Sequence, residues 1–330
     1  MRSSNVRSWM KLGAVALALG ACNNPVVPAD ANHMGLDTGA DAGGPALPTL
    51  PAAAVAGGAA MLGCAATAPA PGAPISITME LDSFGQSGDT ADMVDICFCP
   101  DNVLSAQALG ADVSGGCGTC QHATSDANGR ATLMANTNGW YAYRVFFHSM
   151  SAVSDRTTFL DSIQVNEPAP ATVGGMVTGN AVSRLTANLI SEAELITRQH
   201  GTTTIAGRVY DCHGDDVSNA IVRAFHADGT EILEGEQTAQ SHFRYFDGNQ
   251  MPDSSATFTN TDGLYVVVNA TPAMNGELIR MEAWAYTGTG TGAPTRVGCE
   301  AVQALTDGVA IVNVGPTRTD YPAGHPCASH

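Results

Sequence analysis

The chain has 330 residues, of which 14% are charged and 6% aromatic, and its 31 acidic and 14 basic side chains give a net charge of −17. This length allows two domains with hydrophobic cores, and the composition is typical of an exported, all-β protein rather than a helical cytosolic enzyme. The acidic surface argues against a nucleic-acid partner, because no basic patch is available to neutralise phosphates.

The first 22 residues have the parts of a secretory leader: three basic residues, a short apolar run at 12–19, and Leu-Gly-Ala before Cys22. The apolar run is too short for a transmembrane helix, which needs roughly 20 residues. The ending resembles the lipobox of bacterial lipoproteins. That resemblance implies export, cleavage before Cys22 and attachment of lipid to the Cys22 thiol, which anchors the protein to a membrane. The alternative is an ordinary signal peptide with a chance cysteine.

The next segment, residues 23–74, is rich in Ala, Pro and Gly and is predicted to be a disordered tether. Without the leader, 11 basic and 31 acidic residues remain, which gives a mature charge of −20. No Asp follows Cys22, so the inner-membrane retention signal of Gram-negative lipoproteins is missing. The resemblance therefore implies an outer-membrane lipoprotein of the cell envelope, and it leaves open which face of the membrane the protein occupies.

Residues 75–168 are predicted to form a first β-sandwich domain. Apolar and polar side chains alternate at 75–81, and Val94, Ile96 and Phe98 fall on one face of the next strand. The sequence Asp-Ala-Asn-Gly at 126–129 predicts a tight turn before a further strand, because Asn and Gly tolerate positive φ. A second Asn-Gly pair precedes the aromatic run that begins at Trp140.

Residues 203–316 are predicted to form a second β-sandwich domain with the same order of strands and turns. Asn-Thr-Asp-Gly at 260–263 mirrors the turn at 126–129, and we interpret the repeat as an internal duplication with diverged loops. The predicted strands of this domain are 204–210, 220–225, 264–268, 282–286 and 309–314.

Short motifs in the second domain mark its turns and strand ends. They comprise Gly207, Val209, Asp211 and Gly214, then Ala220 and Val222, then Thr259, Asp262, Gly263 and Tyr265. On these residues the domain resembles the carboxypeptidase regulatory-like domain, a prealbumin-like, seven-stranded β-sandwich. The first domain keeps mainly the turn at 126–129. The resemblance implies two prealbumin-like or Ig-like sandwiches, and such a fold does not by itself specify a function.

Residues 169–202 are predicted to be a connector with one short helix, and residues 317–330 a C-terminal tail. Ser183 is expected to cap the helix and Gly201 to end it. One helical face is expected to pack on a sandwich. The apolar residues on that face are Leu185, Leu189, Ala193 and Ile196.

Apart from Cys22, the cysteines are candidates for disulfides, as expected in an exported chain. These candidates are Cys64, Cys97, Cys99, Cys117, Cys120, Cys212, Cys299 and Cys327. The four from Cys97 to Cys120 could alternatively hold a zinc ion. Among the others, the expected pairs are Cys212 with Cys299 and Cys64 with Cys327.

The chain lacks H-E-x-x-H, G-x-S-x-G, a P-loop and a Rossmann glycine-rich turn. Intradiol dioxygenases share a similar sandwich, but their His-x-His iron pair is missing here. Tyr143 with His148, or Tyr245 with His242, match that site only loosely. We therefore predict no catalytic residue and no cofactor. The alternative is an enzyme of unrecognised type, for example a metal-dependent one on a prealbumin-like sandwich.

Acidic turns raise a calcium alternative, since Ca²⁺ prefers several oxygen ligands from one loop. The candidate sets are Asp211, Asp215 and Asp216, or Asp247, Asn249 and Asp253. Neither follows a known calcium-loop spacing, and these residues are also ordinary turn formers, so no metal site is predicted. His213 and His325 are predicted to be surface residues.

The first functional hypothesis is a non-catalytic binding or structural role, with an extracellular or envelope protein or a carbohydrate as partner. The long loop at 228–256 is the expected contact surface, because a rigid sandwich presents its loops. Its aromatic residues Phe243, Tyr245 and Phe246 either contact a ligand or belong to the core of an irregular strand. A further hypothesis is a plain spacer in a larger assembly.

Overall fold

The computed structural model describes residues 70–84, 90–104, 106–109, 116–146, 159–193, 195–235, 240–248, 250–286, 294–318, 321 and 325–328. The leader with Cys22, most of the tether with Cys64, and also His148 and Asn249 lie outside these residues, so what was predicted for them remains a prediction. Within the described ranges, no helix has both the length and the apolar character needed to cross a bilayer.

The described residues are mostly β-structure, as the sequence predicts. The helices are α1 (Ala106–Leu109) and α2 (Arg184–Ala193). The strands are β1 (Pro74–Phe84), β2 (Asp95–Cys99), β3 (Gln121–Thr124), β4 (Arg130–Asn136), β5 (Trp140–Phe146), β6 (Ser162–Pro168), β7 (Met176–Val182), β8 (Thr203–Arg208), β9 (Ile221–Phe225), β10 (Glu231–Ile232), β11 (His242–Phe246), β12 (Pro252–Asp253), β13 (Leu264–Ala270), β14 (Glu277–Ala285), β15 (Thr295–Ala304) and β16 (Val309–Ile311).

These strands form two β-sandwiches with the same topology. The N-terminal sandwich consists of a β4-β1-β7 sheet and a β3-β2-β5-β6 sheet. The C-terminal sandwich consists of β13-β8-β16, extended by β11 and β12, and of β10-β9-β14-β15. In both sandwiches, the first and last strands along the chain pair in parallel within one sheet, β1 with β7 and β8 with β16. The fold class predicted from the sequence is therefore confirmed.

The two sandwiches share one continuous nine-stranded sheet, because β16 also pairs in parallel with β6. Ala310 lies at the centre of this junction, opposite Ile163 of β6 on one side and opposite Ile205 of β8 on the other. The sequence does not predict this pairing, which joins strands far apart along the chain.

The predicted repeat of strands and turns is visible in the hydrogen bonds. Each of the two predicted turns ends in a glycine with positive φ, Gly129 and Gly263, whose carbonyl accepts from the first strand. Ser125 and Thr259 occupy matching positions, and their hydroxyls bond to backbone groups just before β2 and β9. Three pairs of bonds match. Leu81 N donates to Gly129 O and Val209 N to Gly263 O, both at 2.8 Å. Val94 N donates to Ser125 Oγ at 3.0 Å and Ala220 N to Thr259 Oγ1 at 2.9 Å, and the hydroxyls of Ser125 and Thr259 donate to Ala91 O and Val217 O, both at 2.8 Å.

Strand β1 alternates buried and partly exposed residues along its length, as its sequence predicts. Strand β2 differs, because it is buried on both faces. Ile96 and Phe98 lie in the core of the N-terminal sandwich, whereas Cys97 and Cys99 face the core that continues into the C-terminal sandwich.

The cysteines of β2 form disulfides with the segment that follows. Cys97 pairs with Cys117 and Cys99 with Cys120, with Cα separations of 5.4 and 4.5 Å. Disulfide formation is thus confirmed for these four, and their sulfurs are not free to ligate zinc. Cys299 pairs with Cys327, so the expected partners Cys212 for Cys299 and Cys64 for Cys327 were wrong. The reason is that the C-terminal tail folds back against β15. Cys212 is also disulfide-bonded.

The predicted connector contains a strand that the sequence analysis missed. Strand β7 pairs with β1 and completes the N-terminal sandwich. Helix α2 follows, and Ser183 caps it as predicted, because its hydroxyl accepts from Thr186 N at 2.9 Å. The helix ends at Ala193 and not near Gly201.

The helix face expected to be buried was wrong. Leu185 and Leu189 are 59% and 50% exposed, whereas Ala187 packs against β7 and β16. The hydroxyl of Thr186 donates to Phe84 O at 2.9 Å, which pulls the polar side of the helix onto the sheet. A short helix anchored by polar contacts need not bury its leucines.

The expected contact loop at 228–256 contains three short strands, β10, β11 and β12. Tyr245 and Phe246 are buried and Phe243 packs against the core, so these aromatic residues belong to an irregular strand of the sandwich. Of the two roles considered for them, the structural role is the one observed.

Candidate functional site

A pocket of about 470 Å³ opens where the two sandwiches and the C-terminal tail meet. The N-terminal sandwich contributes the segment after β2, with Asn102, and the first residue of β5, Trp140. The C-terminal sandwich contributes Glu300 and Gln303 from β15. Arg318, Tyr321 and His325 of the tail complete the wall. Pockets at such junctions, with a few convergent polar groups, are common ligand sites.

Planar side chains form a stacked column along this wall. The guanidinium of Arg318 lies between two rings, 4.7 Å from the centroid of Trp140 and 5.2 Å from that of Tyr321. Tyr321 in turn stacks on His325, with centroids 4.0 Å apart and planes within 3°. Cation–π and stacking contacts of this kind hold the rings in fixed orientations. The column therefore presents a rigid, flat surface to the pocket.

Glu300 lies behind the column and is only 5% exposed. Its Oε1 accepts from Ala301 N at 3.0 Å, and its Oε2 lies 3.2 Å from the Tyr321 hydroxyl, which also donates to Cys299 O at 2.7 Å. Burial raises the pKa of Glu300 to about 7. Burial, and then the nearby Glu300 charge, raises the pKa of Tyr321. Near neutral pH the carboxyl group is therefore shared between its charged and neutral forms.

His325 is neutral near pH 7, because burial and then the charge of Arg318 lower its pKa to about 4. Its Nδ1 accepts from Cys327 N at 3.2 Å, so the proton of the neutral ring is on Nε2. That nitrogen lies 3.7 Å from Glu300 Oε1. The approach is too long for a hydrogen bond and, with a neutral ring, is not an ion pair.

The side of the pocket next to β6 is fixed by two asparagines with positive φ, Asn102 and Asn166. They bond reciprocally: the amide of Asn102 donates to Asn166 Oδ1, and Asn166 N donates to Asn102 Oδ1 at 2.7 Å. Asn tolerates this left-handed conformation better than most residues. The bonds hold the segment after β2 against the end of β6, which keeps this wall in place.

The tail reaches the pocket because the Cys299–Cys327 disulfide fastens it to β15. The site combines flat aromatic surfaces, amide groups that donate and accept, and a buried acid. Such a set can orient a polar ligand with apolar faces. It can also exchange one proton near neutral pH through Glu300.

Four of the residues singled out as enzyme or calcium candidates make other contacts. The Tyr143 hydroxyl is buried, donates to Gln164 Oε1 at 2.5 Å, and accepts from Asn180 N. The Tyr245 hydroxyl accepts from Val222 N at 2.9 Å. The carboxylates of Asp247 and Asp253 accept backbone N–H groups of their own turns.

Sequence reasoning missed the residues of the pocket. Trp140 was noted only as the start of a strand, and Arg318 and Tyr321 were assigned to a tail. The prediction that His325 is a surface residue was wrong, since its side chain is only 17% exposed. Cys327 was the available signal, because a disulfide to a central strand brings the tail back onto the fold.

The chain matches no known protein family and no curated protein in sequence. Among solved structures, it is similar to the Bacillus anthracis TIE protein, with 10% identity and a TM-score of 0.20 over 73% of this chain and 34% of that one. It is also similar to a streptococcal ancillary pilin, with 11% identity and a TM-score of 0.19 over 74% of this chain and 62% of the pilin. A third similar structure is a shaft pilin from Lactobacillus rhamnosus GG, with 14% identity and a TM-score of 0.20 over 74% and 98% of the two chains. The two β-sandwiches are defined by the strand topology of this chain alone.

Proposed function

We propose that this chain is an exported, lipid-anchored envelope protein that binds a neutral saccharide in its junction pocket without catalysing a reaction. The observation that carries the proposal is the stacked column of Trp140, Arg318, Tyr321 and His325 beside amide side chains.

The chemistry of the pocket suits a sugar ring. A pyranose has apolar C–H faces, which pack on flat aromatic surfaces, and hydroxyl edges, which need both donors and acceptors. Asn102, Asn136 and Gln303 line the pocket, and an amide side chain carries both donors and acceptors. Asn102 uses one of each on Asn166, and Gln303 uses one donor on Leu104 O, which leaves each amide with hydrogen-bonding groups for a ligand. The net charge of −17 disfavours a polyanionic ligand, which leaves a neutral saccharide as the better fit.

The anchoring part of the proposal is supported by the leader sequence. Lipid on Cys22 and a tether over residues 23–74 would hold the sandwiches away from an outer membrane. The second sandwich is proposed to be a carboxypeptidase regulatory-like domain, on the motifs between Gly207 and Tyr265. Its seven-stranded core and turn positions are consistent with that assignment.

Binding is tested with an array of neutral oligosaccharides, followed by calorimetric titration of the best one, a readout that does not depend on Trp140. Trp140→Ala and Arg318→Ala should each weaken binding at least about tenfold, as expected when a central aromatic or Arg contact is truncated. The matched control is Arg130→Ala, since Arg130 is half-exposed on β4, is ion-paired with Glu80 and does not line the pocket. Failure of every neutral saccharide to bind, or unchanged affinity in both pocket variants, contradicts the proposal.

Anchoring is tested separately by membrane fractionation of the wild type and Cys22→Ser, with protease added to intact cells. We expect the wild type in the outer-membrane fraction and the variant lost from it. If both versions are soluble, the lipoprotein assignment is wrong, whatever the outcome of the binding test.

A second candidate function is an enzyme, which the convergence of Glu300, Tyr321 and His325 favours. A carboxyl with a pKa of about 7 is suited to general acid–base work. The two functions differ in the fate of the bound saccharide. An unchanged mass after prolonged incubation supports binding alone, whereas product formation that Glu300→Gln abolishes would establish the enzyme.

A further inference from the structure

A second group of chemically active side chains lies on the turn that follows β8, and its members are not among the residues that line the junction pocket. Asp211, His213 and Asp215 each offer one ligand atom there, and these atoms all lie within 4.8 Å of one another. Alternate residues of a tight turn thus point to one side. Nearby acidic groups are common on β-turns, so proximity alone does not make this a site.

The environment of Asp211 supplies the independent observation. The residue is only 2% exposed. Its Oδ1 accepts from His213 N at 2.8 Å and Asp215 N at 3.0 Å, so Asp211 itself sets the positions of the other two residues. Its Oδ2 is buried, has no hydrogen-bond partner among the described residues, and lies 3.9 Å from His213 Nδ1. A buried carboxylate oxygen without a partner is unfavourable, and a cation beside it would remove that cost.

We infer that this turn binds a divalent transition-metal ion through Asp211, His213 and Asp215. Zinc bonds to His nitrogen and carboxylate oxygen at about 2.0–2.2 Å, which places tetrahedral ligands roughly 3.4 Å apart. The observed 3.9 Å between Asp211 and His213 is close to that separation. His213 is half-exposed, so a small rotation of its ring closes the difference. Three protein ligands also leave one coordination position for water.

The donor set selects the class of metal. An imidazole nitrogen favours zinc and its neighbours over Ca²⁺ and Mg²⁺, which prefer oxygen ligands throughout. Thiolates are not available for this role, because Cys212 in the same turn is disulfide-bonded. Carboxylate and imidazole ligands suit an oxidised, disulfide-containing protein, since they do not depend on a reduced thiol.

The charge around the turn also favours a cation. The nearby guanidinium of Arg208 is ion-paired with Asp216 at 2.7 Å. It therefore does not neutralise Asp211, and the turn keeps a negative potential that a metal ion would relieve.

The test is isothermal titration of the disulfide-intact protein, freed of metal with EDTA, against Zn²⁺ alone and Ca²⁺ alone. His213→Ala and Asp211→Asn should each weaken Zn²⁺ binding at least about tenfold, since even loss of an outer-shell partner typically costs about 10- to 100-fold. Asp211→Asn keeps the Oδ1 acceptor of the turn, so the fold should survive. The control is His200→Ala, because His200 is another surface histidine paired with an aspartate, Asp307.

One Zn²⁺ site that both turn variants weaken and His200→Ala does not, with Ca²⁺ binding more weakly, is the expected result. Circular dichroism of each variant separates loss of binding from loss of fold. Unchanged Zn²⁺ affinity in His213→Ala overturns the inference. So does an equal loss in His200→Ala, or tighter binding of Ca²⁺ than of Zn²⁺. None of these outcomes depends on the saccharide-binding proposal.

Discussion

The replacement Glu300→Gln tests the electrostatics of the junction pocket, because it removes the charge of the buried acid and keeps its shape. Burial raises the pKa of Glu300 from 4.5 to about 7. The native protein therefore holds this proton more tightly than the unfolded chain does. At about 1.36 kcal/mol per pKa unit, the carboxyl group lowers the stability of the native state by about 3 kcal/mol once it is ionised.

The pH range over which the stability changes follows from the pKa values of Glu300 in the unfolded and the native state. Below pH 4.5 the group is protonated in both states, so it contributes nothing to the pH dependence. Between pH 4.5 and about 7 the native state binds more protons than the unfolded state, and the free energy of unfolding falls as the pH rises. Above pH 7 the loss is complete. We expect Glu300→Gln to abolish this fall, so that the variant exceeds the wild type by up to about 3 kcal/mol at pH 8.

The assay is urea denaturation of the wild type and variant at half-unit steps from pH 4.5 to 8, with disulfides intact. Glu192→Gln is the control, because Glu192 is exposed on α2 and should follow the wild type at every pH. The difference between the Glu300→Gln and wild-type curves isolates this one group from the other ionisable residues. Parallel curves across the whole range would refute the reasoning.

Three further predictions concern the fold. Gly207→Ala should destabilise the protein by about 3 kcal/mol in thermal unfolding, because a Cβ there would lie 1.8 Å from Val312 O. The control Gly116→Ala places its Cβ with nothing within 4 Å, so its stability should lie within about 0.5 kcal/mol of the wild type. The double variant Cys299→Ser, Cys327→Ser should lose about 3.5 kcal/mol of unfolding free energy in urea denaturation, because the disulfide closes a 28-residue separation and so lowers the entropy of the unfolded chain. A loss below about 1 kcal/mol would mean that the tail is held mainly by other contacts. Ser183→Ala should cost about 1 kcal/mol through the lost helix cap, and equal midpoints of thermal unfolding would show that the cap is dispensable.

The parts of the fold that local chemistry decides could be predicted from the sequence. The turns ending at Gly129 and Gly263 were predicted because a few adjacent residues set their conformation. Strand β1 was predicted from its alternation, and the cap at Ser183 from the residue type alone. In each case the deciding contacts lie within a few residues of one another.

The remaining features depend on contacts between distant residues. The place of β16 between β6 and β8 follows from packing of the whole sheet, and nothing in Val309–Ile311 indicates it. The pocket brings Trp140 close to Glu300 and Arg318, which lie far from it in the sequence. Local sequence patterns extend over a few residues and cannot indicate such a contact. The buried face of α2 was also mispredicted from the spacing of its leucines, because polar contacts to the sheet determine which face is buried.

The position of β16 also sets the order in which the protein can be completed as it is synthesised. The sheet stays in two halves until nearly the last residues of the C-terminal sandwich have emerged, and β6 and β8 meanwhile expose unpaired backbone groups. Open edges of this kind can recruit strands from other chains. A truncation shortly before Val309 would therefore leave two unpaired strand edges exposed, those of β6 and β8. It should favour aggregation more strongly than removal of an equal length from the N-terminus.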